Sequence, residues 1–205
     1  MKIAMLIEGK TEKAFLPFLR SFLERRLAGG MPNLDPVPCD GRIPKEDKLR
    51  REVQRLLNDR RRPADAVIAL TDVYTGTQPP EFEDAADAKR KLRGWVGQEN
   101  RFYPHAAQFE FEAWLLPYWQ ILQGLAGHNA AAPAPDPERV NHINPPSKRI
   151  SDLFRRGSKG RAYVKERDAI RVLREADPMT AIVQCGELKA LINTILVLCG
   201  GSSIS

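Results

Sequence analysis

Two spacings of apolar residues alternate along the chain, one typical of buried strands and the other of amphipathic helices. Apolar runs at residues 2–7 and 65–70 predict buried β-strands, and residues 37–39 predict a shorter one. Apolar and polar residues alternate towards the end of residues 102–111, which predicts an extended segment. On that segment Glu110 and the adjoining Glu112 share one face.

Helical spacing of apolar residues follows most of these strands. Thr11 is the predicted N-cap of the first helix, and Asp177-Pro178 is expected to stop a later one. The predicted helices cover residues 11–27, 48–57, 85–96, 114–125, 148–154, 165–176 and 187–198.

Strands that alternate with helices predict an α/β fold of the Rossmann-like kind: a mostly parallel sheet of about four strands, flanked by helices, with a helical C-terminal third. We expect an α/β core at residues 1–125, a Pro- and Ala-rich loop at 126–146, and a helical extension at 147–205 packed on the core. In such sheets ligands bind at the carboxyl ends of the strands.

Composition and length favour an ordinary globular protein. The chain has 205 residues, of which 42% are hydrophobic and 28% charged, which fits about one domain. Its apolar runs fall far short of the roughly 20 residues of a membrane-spanning helix. We therefore expect a cytoplasmic protein that does not engage a membrane.

Cysteines and histidines are too few and too scattered for structural zinc or for Cys/His nucleophilic catalysis. They are Cys39, Cys185, Cys199, His105, His128 and His142.

Charge is distributed in three blocks. Residues 1–62 carry a net charge of +6, residues 63–138 one of −6, and residues 139–205 one of +6. An acidic middle between basic flanks suits a cation held beside a polyanion, although solvated charged faces give the same sums.

Acidic residues follow the predicted strands. Glu8 comes after the first, Asp72 after the strand at 65–70, and Glu110 with Glu112 closes the last. Parallel strands bring their carboxyl ends to one edge of the sheet, so these side chains are expected to converge. Carboxylate oxygens are the ligands that Mg²⁺ prefers. Each also has a plainer interpretation, as an acidic partner of the next helix dipole.

A phosphate-binding P-loop is excluded at the first strand. Residues 4–11 resemble GxxxxGK[ST] with Ala4 in the place of the first glycine. The match fails because Met5, Leu6 and Ile7 continue a buried strand instead of forming a glycine-permissive loop.

An ordered set of motifs resembles a known family. In chain order they are EGKTE at 8–12, TDVY at 71–74, FEFEAWLL at 109–116, PSKRI at 146–150 and YVK at 163–165. This order resembles the bacterial domain of unknown function 4276, a TOPRIM-like family, over roughly residues 1–195. Relatives of that core include topoisomerases, primases, small ribonucleases and nucleases of the overcoming-lysogenization-defect type, which often work with an ATPase in phage defence.

The resemblance implies a Mg²⁺-dependent nuclease, with Mn²⁺ as the alternative cofactor, that acts on DNA or RNA. Glu8, Asp72 and Lys165 are the expected catalytic residues. Metal ligands are expected among Glu8, Asp72, Glu110 and Glu112, and phosphate contacts from Lys10, Lys148 and Arg149.

Two departures from the family pattern keep a second class open. The TOPRIM pattern Asp-x-Asp has Tyr74 in place of its second Asp, and Phe109 stands where relatives tend to have His. Glu110 or Glu112 is a candidate replacement ligand. The alternative is a non-catalytic TOPRIM-like module that binds nucleic acid or a partner ATPase.

Overall fold

The computed structural model describes residues 1–133, 135–139 and 143–205, and His142 lies outside them. The described residues form one four-stranded sheet, in which every neighbouring pair of strands is parallel. Its strands are β1 (Lys2–Ile7), β2 (Asn33–Pro38), β3 (Ala66–Asp72) and β4 (Phe102–Ala107), in the order β2-β1-β3-β4. The predicted α/β fold is therefore confirmed, with β1 and β3 at the centre of the sheet.

Eight α-helices and two 3₁₀ segments make up the rest of the regular structure in the described part of the chain. The 3₁₀ segments are Phe111–Tyr118 and Pro137–Arg139. The α-helices are α1 (Lys10–Glu24), α2 (Glu46–Leu57), α3 (Ala85–Val96), α4 (Trp119–Ala126), α5 (Pro146–Arg156), α6 (Lys165–Glu175), α7 (Pro178–Gln184) and α8 (Gly186–Leu198).

Alternation along the central strands places a core on each face of the sheet. On β1, Ile3, Met5 and Ile7 pack with the apolar side of α1, while Ala4 and Leu6 face α2 and α3. Successive strand residues point to opposite faces, so strands buried on both faces are apolar at almost every position.

The helices of the last third complete the core on the α1 side. Helix α6 packs on α1, α7 packs on the 3₁₀ segment Phe111–Tyr118, and α8 packs on β4. Their buried apolar residues belong to the same cluster as Phe15 and Leu19 of α1.

The prediction that the extended segment reaches Phe111 is wrong. Pairing between β3 and β4 ends at Asp72 and Ala107, and a 3₁₀ turn begins at Phe111. This turn is buried on nearly all sides, so its apolar residues carry no helical period and resemble a strand. Glu110 and Glu112 consequently do not share a strand face: Glu110 precedes the 3₁₀ segment and Glu112 lies in its first turn.

Two predicted helix boundaries are also corrected. The N-cap of α1 is Gly9 instead of Thr11. Asp177-Pro178 does stop α6, but it also starts α7, because the Asp177 side chain accepts the Met179 N–H and proline fits the first helical position.

No single helix among the described residues is long and apolar enough to cross a membrane. Helices α7 and α8 meet that test of length and composition only when taken together, and they are bent by 113°.

A substitution at Gly157 tests the packing of the end of α5 against the end of α4. A Cβ at Gly157 would lie 2.0 Å from the backbone oxygen of Ala126, so Gly157→Ala forces α5 away from the end of α4. We expect its free energy of unfolding in urea to fall by about 1–3 kcal/mol. The control is Gly94→Ala in α3, where an added Cβ meets open space. Because alanine favours the helix over glycine, we expect this variant's free energy of unfolding to rise by about 0.5–1 kcal/mol. Equal stabilities of the two variants would contradict this packing.

Candidate functional site

The central strands deliver two carboxylates to one edge of the sheet. Because Ile7 lies opposite Leu70, Glu8 and Asp72 follow at the carboxyl ends of paired strands. The Thr71 hydroxyl donates a hydrogen bond to the Glu8 carboxylate, and the Asp72 carboxylate accepts the Phe111 N–H at 2.9 Å. Both residues are half-buried at this edge of the sheet.

Glu12 joins this edge from the first turn of α1. Its side chain is buried, with 7% of its surface exposed, and a Cβ at Gly9 would lie 3.2 Å from its Oε2. A small residue at position 9 therefore leaves room for the carboxylate beside the turn. Sequence reasoning did not select Glu12 as a site residue, although the repeat of Glu within EGKTE carried the signal.

Glu112 forms an ion pair with the first residue of α6. Lys165 Nζ lies 3.2 Å from each carboxylate oxygen of Glu112, and the Tyr163 hydroxyl lies 3.5 Å from Oε1. Only 1% of the Glu112 surface is exposed. The predicted catalytic Lys165 and the predicted ligand Glu112 are thus in direct contact.

Glu110 forms hydrogen bonds with the start of α5. Its two carboxylate oxygens accept the backbone N–H and the hydroxyl of Ser147, at 2.9 and 3.1 Å. Ser147 lies in the first turn of α5, so Glu110 holds that helix end in place. These contacts direct Glu110 to α5, and Glu112 is the member of the pair that faces Lys165.

Burial and like charges raise the pKa values of the carboxylates in this cluster. Burial first, and then the negative charges of Glu8, Glu12 and Glu112, raise the pKa of Asp72 well above its usual range, while Lys165 lowers it. Burial and the charge of Glu12 raise the pKa of Glu8 to about 7, although the Thr71 hydrogen bond acts against them. Burial also raises the pKa values of Glu12 and Glu112. Four carboxylates and one ammonium group therefore share one electrostatic environment.

The pKa of Lys165 is raised by the same negative charges. Burial disfavours its charge, but Glu112 and Glu110 raise its pKa above the usual value. It stays protonated throughout the neutral range, which suits a group that contacts a phosphate.

The predicted phosphate contacts lie near the start of two helices. Lys10 is the exposed first residue of α1, directly after Gly9. Lys148 is exposed one residue after Ser147, and Arg149 Nε donates to the Asn144 oxygen at 3.1 Å. The arginine run at 60–62 lies elsewhere: Lys2 Nζ donates to the Arg62 oxygen, at the amino end of β1.

The donor set suits a hard divalent cation, although the described residues hold no group of three acidic, His or Cys side chains already arranged around one position. Mg²⁺ commonly uses only one or two protein carboxylates and keeps water or substrate oxygens for the rest. After burial, the charge of Glu12 raises the pKa of Glu8, and the charges of Glu8 and Glu12 raise the pKa of Asp72; a bound cation relieves that repulsion. The chemistry of these residues therefore fits Mg²⁺ or Mn²⁺.

A parallel four-stranded sheet with acidic residues at the carboxyl ends of its central strands defines a Rossmann-like α/β protein. The C-terminal region of the Burkholderia pseudomallei OLD protein has a similar structure, with a TM-score of 0.50 and 14% sequence identity. That match covers 96% of this chain and 98% of the other. The same region of the Xanthomonas campestris pv. campestris OLD protein gives a TM-score of 0.49 at 12% identity, with 97% and 96% coverage.

The chain belongs to the family described as "Domain of unknown function (DUF4276)", whose model matches residues 7–196. That confirms the family expected from the motifs, and the Burkholderia structure supports the TOPRIM-like fold. A comparison with curated proteins found no match.

Titration of Glu8 gives a pH-dependent stability. Its ordinary pKa of 4.5 is raised to about 7, so between these values the folded state holds a proton that the unfolded state has released. In metal-free buffer, the free energy of unfolding should therefore fall as pH rises from 4.5 to about 7. Urea titrations of Glu8→Gln should give a flatter profile across this window. Glu166→Gln, a change at an exposed carboxylate of α6, should keep the wild-type slope. Parallel profiles for all three proteins would contradict the assignment.

Proposed function

We propose that this protein is a Mg²⁺-dependent hydrolase of nucleic-acid phosphodiester bonds. The observation that carries the proposal is the cluster of Glu8, Glu12, Asp72 and Glu112 at the carboxyl ends of β1 and β3, with Lys165 as its cation. Carboxylates whose pKa values are raised by burial and by one another's charge, beside a lysine at the ends of parallel strands, are typical of functional sites.

Glu8 and Asp72 are the residues that would hold Mg²⁺ or Mn²⁺, and Glu12 adds negative charge beside them. When bound, the ion supplies Lewis-acid stabilisation of the charge that develops on the phosphate. Lys165 adds a second positive charge to the same cleft, from the side of Glu112. Lys10 and Lys148 are exposed and can contact flanking phosphates.

Water is the proposed nucleophile. A carboxylate with a pKa near 7 is matched to proton transfer at neutral pH, and Glu8 meets this condition in the metal-free protein. Glu8 can therefore act either as a metal ligand or as the general acid/base.

DNA and RNA both offer the required phosphodiester, so the substrate is proposed at the level of nucleic acid. The OLD proteins share the fold with this chain through their C-terminal regions. A partner ATPase and a role in phage defence follow from the family resemblance and remain part of the proposal.

A non-catalytic module that binds nucleic acid or a partner ATPase is the second candidate. It is favoured by Tyr74, which takes the position of the second Asp of the Asp-x-Asp pattern, and by the lack of a ready three-ligand group among the described residues. Metal binding separates the two candidates.

Metal binding should stabilise the folded protein. Above pH 7, Mg²⁺ or Mn²⁺ at a hundredfold excess over its dissociation constant adds about 2.7 kcal/mol to the free energy of unfolding. Asp72→Asn and Glu12→Gln should weaken this response, measured by thermal unfolding and by calorimetry, whereas Glu166→Gln should retain it. A wild-type protein that shows no response to either ion would favour the binding module.

Cleavage should depend on the same residues. With a panel of labelled DNA and RNA in Mg²⁺, Glu8→Gln and Asp72→Asn should each lower the cleavage rate by about 100-fold or more. Lys165→Met should lower it as well, because the phosphate loses a positive charge. Glu166→Gln is the matched control and should cleave at the wild-type rate. Wild-type rates for both Glu8→Gln and Asp72→Asn would refute the nuclease assignment.

A further inference from the structure

The loop that follows β2 packs against the end of β1, where Glu8 lies. The Gly41 N–H donates a hydrogen bond to the Glu8 backbone oxygen at 2.8 Å. A backbone hydrogen bond from Ile43 reaches the Glu8 side chain and lowers the pKa of that carboxyl. The residues on both sides of Arg42 are therefore in contact with Glu8.

A left-handed turn directs the chain back towards β1. Asp40 has a φ of 48° and Gly41 a φ of 100°. Glycine adopts this conformation without steric cost, and aspartate is among the residues that tolerate it. The local sequence thus favours the turn that sets Arg42 beside Glu8.

The Arg42 side chain spans the carboxyl edge of the sheet. Its Nη2 donates a hydrogen bond at 2.8 Å to the backbone oxygen of Thr75, which lies in the loop after β3. Because the strand order is β2-β1-β3, a side chain that joins the end of β2 to this loop crosses the end of β1. Arg42 and Thr75 accordingly line one small cavity together with Glu8 and Thr71.

Arg42 and Lys165 lie on opposite faces of the sheet. The cavity beside Arg42 is also lined by Leu92, which belongs to the apolar core on the α2 and α3 side. Lys165 belongs to α6, which packs on α1 against the other face. A phosphate bound at Glu8 and Asp72 could therefore be contacted by one cation from each face.

The guanidinium group of Arg42 has donors available for a ligand. Arg42 is exposed, and it forms no ion pair with any residue that the structure describes. Glu81, which lines the same cavity, pairs instead with Lys45 at 2.7 Å. A guanidinium group has five N–H donors in a rigid fork, so the bond to Thr75 orients it and leaves donors for two parallel bonds to a phosphate.

We propose that Arg42 binds the substrate phosphate at the carboxylate cluster, on the face of the sheet opposite Lys165. The proposal rests on the proposed function for the identity of the substrate, a nucleic acid. In that reaction the guanidinium group contacts phosphate oxygens and stabilises the negative charge that develops on them.

Arg93 supplies a matched control at the other edge of the sheet. Like Arg42, it is exposed and donates from one Nη to a backbone oxygen, that of Glu99, at 3.1 Å. Glu99 lies just before Phe102, the first residue of β4, so this contact is at the amino ends of the strands. Arg93→Gln therefore removes the same charge and the same kind of hydrogen bond at a distance from the carboxylates.

Fluorescence anisotropy measures binding without cleavage. Labelled DNA and RNA duplexes of equal length are titrated over a range of salt concentrations, in chelating buffer and again in Mg²⁺ with phosphorothioate strands that resist hydrolysis. For Arg42→Gln we expect the affinity to fall roughly three- to tenfold and the slope of log K against log salt to decrease by about 0.9 on DNA. Arg93→Gln should leave both unchanged. The two duplexes show which nucleic acid supplies the phosphate.

Cleavage should respond to the same variants. With the duplex that binds more tightly, Arg42→Gln should lower kcat/KM by about tenfold or more in Mg²⁺, whereas Arg93→Gln should cleave at the wild-type rate. Arg42→Lys keeps the charge but loses the paired donors, so it should retain most of the salt slope and cleave at an intermediate rate.

Two measurements separate the phosphate contact from an effect on the loop. Thermal unfolding verifies that each variant is folded. Calorimetry with Mg²⁺ alone should give Arg42→Gln at least the wild-type affinity, because Arg42 is not a metal ligand. A weaker affinity for Mg²⁺ would mean that Arg42 acts by holding Glu8 in place, and it would overturn the proposal.

Three other outcomes would also overturn it: wild-type affinity and slope in Arg42→Gln, an equal loss in Arg93→Gln, or no binding of either duplex by the wild-type protein. A wild-type protein that binds through Arg42 but cleaves nothing would support the phosphate site and refute the nuclease function. A protein that cleaves, and that binds and cleaves equally well as Arg42→Gln, would do the reverse.

Discussion

Electrostatic repulsion among carboxylates at the end of β1 and β3 is the constraint to which the rest of this structure responds. Burial and the charges of Glu8, Glu12 and Glu112 raise the pKa of Asp72. The positive charge of Lys165 lowers it. Such an arrangement lowers stability, because each buried charge costs free energy that a single ammonium group only partly offsets. It is held in place by strands that are apolar at nearly every position and by helices on both faces of the sheet. The parallel register, in which Ile7 pairs with Leu70, brings Glu8 and Asp72 to the same edge of the sheet.

The helical last third of the chain belongs to the site as much as the sheet does. Lys165 comes from α6, which packs on α1, the helix that carries Glu12. Glu110 fixes the start of α5 through Ser147, beside Lys148 and Arg149. Lys165, which is more than 90 positions from Asp72 in sequence, therefore supplies the positive charge beside the carboxylates. A fragment with the sheet alone would contain the acidic residues without the lysine that balances them.

Much of this arrangement could be predicted from the sequence, and the failures have physical causes. The strand at 2–7 and the helix at 85–96 were predictable because burial imposes a clear period on them, and the strand ends then indicated Glu8 and Asp72. The end of β4 could not be predicted, because the buried 3₁₀ turn that follows it has no periodic pattern of apolar and polar residues. Glu12 was overlooked because an acidic residue in a first helical turn has an ordinary explanation in the helix dipole. The ion pair between Glu112 and Lys165 depends on tertiary packing that no local pattern encodes.

Net charge along the chain is a poor guide to charge in space. Glu8 and Glu12 come from the basic first block, Asp72 and Glu112 from the acidic middle, and Lys165 from the basic last block, yet the fold brings them into one electrostatic cluster. The basic first block supplies α1 and α2, which lie on opposite faces of the sheet, and the basic last block supplies helices on the α1 side. On α2, Arg50 and Arg55 each pair with a nearby carboxylate, whereas Asp168 of α6 is shared by Arg161, Arg167 and Arg171. Unneutralised charge, and not the number of arginines in a block, determines where an anion is attracted, so the order of the charge blocks along the sequence does not show where that attraction lies.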